Sequence, residues 1–270
     1  MSKLTYSLIL AGLAGLSTVS AVAADAPAAP TPEHTFTANA NLVTEYRFRG
    51  IDQTWGQPAL QGGFDYAHAD GWYAGVWGSN VSSNSYSGGS LELDYYGGYN
   101  GKFNDDLGWT VGGYGYYYPG ANFNKAAVAG ANQTFDNFEL NAGLSWKFVS
   151  YKLSVSTTDY FGANTKTGYS SGSKGSMYHD LSINYPLMDD LTLGFHVGRT
   201  DVKAMMGTVN PDYTDYKLSI AKTFKDGWNT SLAYVKSSND AFFKNTASLA
   251  NNDRRDLNKA VLVLQAGRTF

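Results

Sequence analysis

Apolar and polar residues alternate strictly along the first stretch of the chain. From Phe36 to Arg49, even positions read Phe36, Ala38, Ala40, Leu42, Thr44, Tyr46 and Phe48. Odd positions read Thr37, Asn39, Asn41, Val43, Glu45, Arg47 and Arg49. Successive side chains of a strand point to opposite faces, so this period of two predicts one apolar and one polar face. The pattern recurs in Phe138–Phe148, where Phe138, Leu140, Ala142, Leu144, Trp146 and Phe148 oppose Glu139, Asn141, Gly143, Ser145 and Lys147. Leu91, Leu93, Tyr95 and Tyr99 likewise oppose Glu92, Asp94, Tyr96 and Asn100, and Tyr216, Leu218 and Ile220 oppose Asp215, Lys217 and Ser219. Leu181, Ile183 and Tyr185 oppose Asp180, Ser182 and Asn184, and Leu191–Val197 behaves in the same way. Trp72–Val81 and Trp109–Tyr118 carry aromatics on both phases, so they read as strands without a defined facing.

The breaks between these segments alternate in length. Short ones are predicted at Ala69–Gly71, Phe103–Gly108, Val149–Ser150, Pro186–Asp190 and Lys225–Gly227. Long ones fall at Gly50–Gln57, Ser82–Ser90, Pro119–Phe135, Gly162–Lys174, Thr200–Pro211 and Ser237–Leu257. Five short and six long connectors separate twelve segments that end on Phe270. An all-β, transmembrane, antiparallel up-and-down β-barrel of about twelve strands has this layout, with short periplasmic turns and long extracellular loops. Because an open edge is not viable in hydrocarbon, Phe36–Phe48 is expected to pair with Lys259–Phe270.

Met1–Ala24 reads as a cleaved secretory signal, with Lys3, an apolar stretch Leu8–Leu16 and small residues Ala21–Ala24. The apolar stretch is shorter than the roughly 20 residues a spanning helix needs, and the alternative is a retained anchor. Residues 25–34 form a Pro/Ala-rich periplasmic lead-in, and 35–270 the barrel. Aromatics make up 15% of the chain, and 30 glycines accompany them, a mix that suits two-faced strands. The absence of Cys excludes disulfides and thiolate metal sites, and a net charge of −3 gives no argument for nucleic acid.

Alternation alone also fits a soluble barrel turned inside out. Two features favour the apolar face outward. Trp72, Trp109 and Trp228 directly follow short turns, and Phe148, Tyr185 and Phe224 lie beside them, which with Phe270 predicts an aromatic girdle at a membrane interface. Full charges sit at mid-strand on the polar phase, where a wet interior tolerates them and lipid does not. The expected pore-lining set is Glu45, Arg47, Arg49, Asp65, Glu92, Asp94, Glu139, Lys147, Asp180, Asp215 and Lys217, with Lys152 and His196 on the same phase. Twelve strands lie between a filled barrel and a wide pore, so a narrow passage is expected, occluded in part by side chains or by an inward loop such as Pro119–Phe135.

Tyr46-Arg47-Phe48-Arg49-Gly50-Ile51-Asp52-Gln53-Thr54, Pro58–Ala67, Tyr73–Val81 and Leu91–Asp94 together carry a family resemblance. Over this quarter of the chain the sequence resembles the TorF family of porin-like proteins, a conserved proteobacterial family of unknown function (Gcw_chp). This chain departs from the family in Arg47, where an apolar residue is usual, and in Asp52, where Ser is usual. The resemblance implies a porin-like role in the outer membrane of a Gram-negative bacterium and no established substrate.

No catalytic, cofactor or metal site emerges from the sequence. A lipid-hydrolysing barrel needs Ser and His two apart on the lipid face, and the neighbours of outward-facing His179 at that spacing are Met177 and Leu181. His34 falls in the lead-in, His68 beside a short turn, and His196 on the polar phase. Asp105-Asp106, Asp189-Asp190 and Arg254-Arg255 lack ligand spacing, and Gly88-Gly89-Ser90 and Gly172–Gly175 precede no helix. The expected partners are outer-membrane lipids, small solutes or ions, and the barrel assembly machinery reading the strand that ends at Phe270. The expected function is passive diffusion through a polar lumen, with a closed surface-interaction barrel as the alternative.

Overall fold

The computed structural model describes residues 32–127 and 130–270. The signal segment Met1–Ala24 and nearly all of the lead-in lie outside them. Twelve antiparallel strands close into a single barrel: β1 (His34–Val43), β2 (Ala59–His68), β3 (Trp72–Asn80), β4 (Leu91–Lys102), β5 (Leu107–Tyr117), β6 (Asn137–Trp146), β7 (Val149–Ser156), β8 (Met177–Met188), β9 (Leu191–Asp201), β10 (Tyr213–Thr223), β11 (Trp228–Ser237) and β12 (Val261–Thr269). Each strand pairs with its chain neighbours, and β1 closes against β12 from Asn39↔Thr269 to Val43↔Gln265. A further bond from the Phe270 amide to the Ala38 carbonyl, at 2.8 Å, extends the seam to the last residue.

The turns and loops alternate as the sequence predicts, with local shifts. The β6–β7 turn is Lys147-Phe148, two residues before the expected Val149-Ser150, because Lys147 takes a positive φ of 53°. The larger shift is in β1. It leaves the sheet after Val43 instead of running to Arg49, and Thr44–Pro58 folds into the barrel. His34 is the first residue of β1 and not part of the lead-in.

Facing follows the period of two. Phe36, Leu42, Leu60, Phe64, Val76, Leu140, Leu144, Leu181, Phe195, Leu218, Leu232, Leu262 and Leu264 are exposed on the outside. Ranged against water, a belt of this size would forgo about 1.5–3 kcal/mol per large side chain, so the surface is suited to hydrocarbon. The two ambiguous strands resolve cleanly. On β3, Tyr73, Trp77 and Ser79 turn inward while Trp72 and Val76 turn out; on β5, Thr110, Tyr114 and Tyr116 turn inward.

Inward tyrosines need room, and glycines supply it. Gly98 and Gly112 are cross-strand partners, and the Tyr73 hydroxyl lies over both, 2.7 Å and 2.5 Å from where a Cβ would stand. A Cβ at Gly98 would also lie 2.2 Å from the Val111 carbonyl oxygen. Gly98→Val should therefore lower barrel stability by about 1–3 kcal/mol through overpacking, read as a lower urea midpoint in the heat-modifiable gel shift. An unchanged midpoint would show that the Tyr73 ring yields freely.

Candidate functional site: the lumen and its inward hairpin

The segment Thr44–Pro58 enters the lumen from the long-loop end. Arg47-Phe48 pairs with Ile51-Asp52, and the connecting Arg49-Gly50 has φ of 47° and 78°. Two successive positive φ values are the signature of a tight primed turn. Gly50 is required at the tip, since a Cβ there would lie 2.6 Å from Asp215 Cβ on β10 and 3.0 Å from Ser237 Cβ on β11. The hairpin thus reaches from β1 to another part of the wall.

Three arginines pin it. Arg49 makes a bidentate contact across 90 residues to β6, with Nη2 donating to Glu139 Oε2 at 2.6 Å and Nη1 donating to Oε1 at 3.0 Å. Its guanidinium lies 4.0 Å from the centre of the Tyr178 ring and 4.8 Å from that of Phe48. Arg47 pairs with Glu45 and donates to the Leu257 carbonyl at 2.7 Å. Arg255, from the last long loop, donates through Nε to Asp52 Oδ2 at 2.6 Å and through Nη2 to Glu45 Oε2 at 3.3 Å. The Asp52 carboxylate also accepts from the amides of Thr54 and Gly56, which holds the returning arm.

Facing the hairpin is a wall of acids and tyrosines. Tyr118 donates to Glu92 at 3.1 Å and Tyr114 to Asp94 at 2.8 Å. Tyr46 of the hairpin packs edge-on to Trp77, with centroids 5.6 Å apart. Among the described residues, neither Glu92 nor Asp94 has a cationic partner within 4.0 Å. Glu92 is 0% exposed and Glu139 2%, so both carboxylates are buried at the level of the hairpin.

The described residues of the expected inward loop, Pro119–Phe135, contribute Phe135 to the buried cluster that also holds Tyr46, Trp77, Tyr114 and Tyr116. There Phe123 stacks on Phe135 at 4.0 Å, and Phe135 meets Tyr86 at 5.3 Å. Tyr86 donates to Gln53, and the Ser82 amide donates to the Gln53 carbonyl at 2.9 Å, tying this cluster to the hairpin. Phe123 packs against the same cluster, so these rings join the loops to the aromatic side of the wall.

The expected lumen residues therefore divide. Asp65, Glu92, Asp94, Glu139, Asp180, Asp215 and Lys217 point inward from strands. Glu45, Arg47 and Arg49 are inside the barrel but on the hairpin, because Arg49-Gly50 makes a turn that continued alternation conceals. Lys147 is a correction: it sits in the β6–β7 turn, half-exposed, 3.7 Å from Asp106. Arg255 and Asp52 were not foreseen as lumenal, and no period marks Arg255, which lies in a loop.

Deeper toward the short turns the lumen changes character. His196 lies between Asp180, 3.2 Å from its Nδ1, and Asp215, 2.8 Å from its Nε2. Lys152 stands opposite Asp180 and Lys217 opposite His196 in the strand registers. Ser182 Oγ is 3.1 Å from His196 Nδ1, yet it donates to Asp180 Oδ1 at 2.6 Å, so a carboxylate and not the imidazole holds its proton. A cavity here is lined by Tyr73, Tyr96, Tyr114, Asn141, Lys152 and Asp180. On the outer face, His179 contacts the Tyr151 hydroxyl at 2.7 Å and Asp201 at 3.8 Å.

At the short-turn end, Trp72, Phe148, Tyr185, Phe224, Trp228 and Phe270 are exposed, and Trp109 is half-buried beside Tyr99. Arg268 lies over the rings of Trp228 and Phe270 and donates to the Asp226 carbonyl at 3.0 Å. Its charge leaves the apolar strip for the rim, as a snorkelling arginine does.

A family model described as a bacterial protein of unknown function (Gcw_chp) matches residues 27–270. The chain belongs to the Gcw_chp family. No curated protein matches it in sequence. The barrel is similar to the solved KdgM porin in complex with disordered oligogalacturonate, at 8% identity and a TM-score of 0.51, over 87% of this chain and 98% of that one. It is similar to the NanC porin at 10% identity and a TM-score of 0.51, over 87% of this chain and 99% of that one. At such identities the likeness is one of fold: this Gcw_chp chain is built as a porin-like barrel.

Removing one partner of a buried ion pair leaves the other uncompensated. Arg49→Ala should therefore cost about 3–5 kcal/mol, and Arg49→Met combined with Glu139→Gln clearly less. Chemical unfolding of the refolded barrel reads both. Equal costs would mean that the pair is not held dry.

Proposed function

We propose that this Gcw_chp protein is a porin-like channel of a Gram-negative outer membrane, passing small hydrophilic solutes or ions by passive diffusion. The observation that carries the reading is an apolar outer belt around a lumen lined with charged and phenolic side chains. Hydrocarbon accepts the first and only water or a polar solute accepts the second. The TorF resemblance agrees with this role, and the KdgM and NanC neighbours are porins by name. In this reading the segment before the barrel delivers the chain to the periplasm and is removed. The aromatic ring from Trp72 to Phe270 rests at the periplasmic interface, and the strand ending at Phe270 engages the assembly machinery. No step of turnover and no cofactor enters the mechanism.

The hairpin sets the pore's resting state. At its level the acids Glu45, Asp52, Glu92, Asp94 and Glu139 outnumber the bases Arg47, Arg49 and Arg255. Transport then needs the hairpin to shift, and a path so lined favours cations. The burial of Glu92 and Glu139 also favours a second reading, a permanently closed barrel that works through its loops.

Planar-bilayer recording separates the two. The wild-type barrel should conduct weakly, and Arg49→Ala should raise the conductance several-fold, with a reversal potential in unequal salt of the sign of a cation-selective pore. Silence from both folded proteins would favour the closed barrel, and an anion-selective reversal would remove the charge argument.

A further inference from the structure

Outside the lumen, the strand register brings together a second set of groups at the short-turn rim. His34 opens β1 and His68 ends β2, and the two are direct cross-strand partners. The Ala69 amide donates to the Glu33 carbonyl at 2.9 Å, so the neighbouring pair Glu33/Ala69 is hydrogen-bonded. The His34/His68 pair is therefore of the other, non-hydrogen-bonded kind, in which side chains stand closest. The imidazole centroids are 5.1 Å apart, edge to face. The Glu33 carboxylate comes within 3.6 Å of His68 Nε2. One ligand atom from each of Glu33, His34 and His68 lies within 4.8 Å of the others.

We propose that Glu33, His34 and His68 form a binding site for a divalent transition-metal ion of the Zn²⁺, Cu²⁺ or Ni²⁺ kind. Two imidazoles and one carboxylate are the donor set such ions prefer, whereas Mg²⁺ and Ca²⁺ select oxygen. Three protein ligands leave a position for water or for a ligand brought by the metal. Both rings have an outer partner that would orient a bound form. His34 Nδ1 lies 3.1 Å from the Tyr66 hydroxyl, and His68 Nδ1 lies 3.5 Å from Asp70 Oδ2, which leaves the Nε2 atoms for the ion. The Asp70 amide now donates to His68 Nδ1 at 3.1 Å, and on loading this contact gives way to His68 donating to the Asp70 carboxylate.

The position gives the site a consequence. It joins the residue at which the chain enters the barrel to the end of the next strand, so a bound ion clips the start of β1 at the rim. It lies far from the lumenal hairpin in the strand register and stands independently of any channel activity.

The test uses the mature, untagged barrel refolded in detergent. Titration with Zn²⁺ by calorimetry should give one ion per chain, lost in the His34→Ala/His68→Ala double variant and weakened in Glu33→Gln. Loading the wild type with Cu²⁺ should give a spin-echo spectrum with modulation from two imidazoles. Binding that persists unchanged in the double variant, no Zn²⁺ binding by the wild type, or a Cu²⁺ spectrum without two imidazoles would each overturn the site. The heat-modifiable gel shift confirms that each variant is folded, and the Cu²⁺ spectrum needs no variant.

Discussion

Every backbone donor and acceptor on a barrel wall must find its partner on an adjacent strand, and closure of the sheet is how this chain meets that demand. The seam between β1 and β12 is the joint on which the rest depends. Once it is closed, alternation leaves each side chain two choices, belt or lumen, and a one-residue slip anywhere would exchange them. The apolar belt, the charged interior and the aromatic rim are consequences of that single geometric fact. The seam also marks where the hairpin begins. β1 has β2 on one side and β12 on the other, and its pairing with both stops at Val43. Past one last bond, from the Thr44 amide to the Leu264 carbonyl at 3.0 Å, the chain leaves β12 and turns inward.

A twelve-stranded wall encloses more space than its own inward side chains fill, while a wide aqueous channel needs several more strands. The chain occupies this intermediate volume with one of its own segments. Because the wall is already charged, the inserted segment must be charged in complement. Arg49 facing Glu139 meets that need, while the segment's own acids Asp52 and Glu45 are met by Arg255 of the last long loop. The tyrosines serve the same interior by another route. A phenol fills space like an apolar ring and still donates one hydrogen bond, as Tyr114 does to Asp94 and Tyr118 to Glu92. Glu92 and Asp94, which have no cation within 4.0 Å among the described residues, each accept from a phenol.

Much of this was legible in the residues. The Leu140/Glu139 and Leu218/Lys217 phases, the loop rhythm and the seam follow from period-two patterning, because facing is a local property of a strand. Trp72–Val81 resisted, since Trp77 is an inward aromatic that packs on Tyr46, a neighbour known only from the tertiary fold. Lys147 misled because a polar residue in a tight turn keeps the phase of the strand before it. Arg47 and Arg49 kept the alternating rhythm after the wall had ended, because a hairpin is itself a pair of strands. The one local sign was Gly50, whose positive φ a side chain would not permit against Asp215. The meeting of His34 with His68 depends on register across a turn, which composition does not encode.

The account stands on the direction in which each face of the wall points, and fluorescence quenching reads that directly. Single reporters would be placed at Leu140 and Leu218 on one phase and at Glu139 and Lys217 on the other, in barrels refolded into lipid. A quencher buried in the acyl chains should reach the first pair and spare the second. If it quenched the reporters at Glu139 and Lys217 and left those at Leu140 and Leu218 bright, the assignment of outside and inside would be reversed.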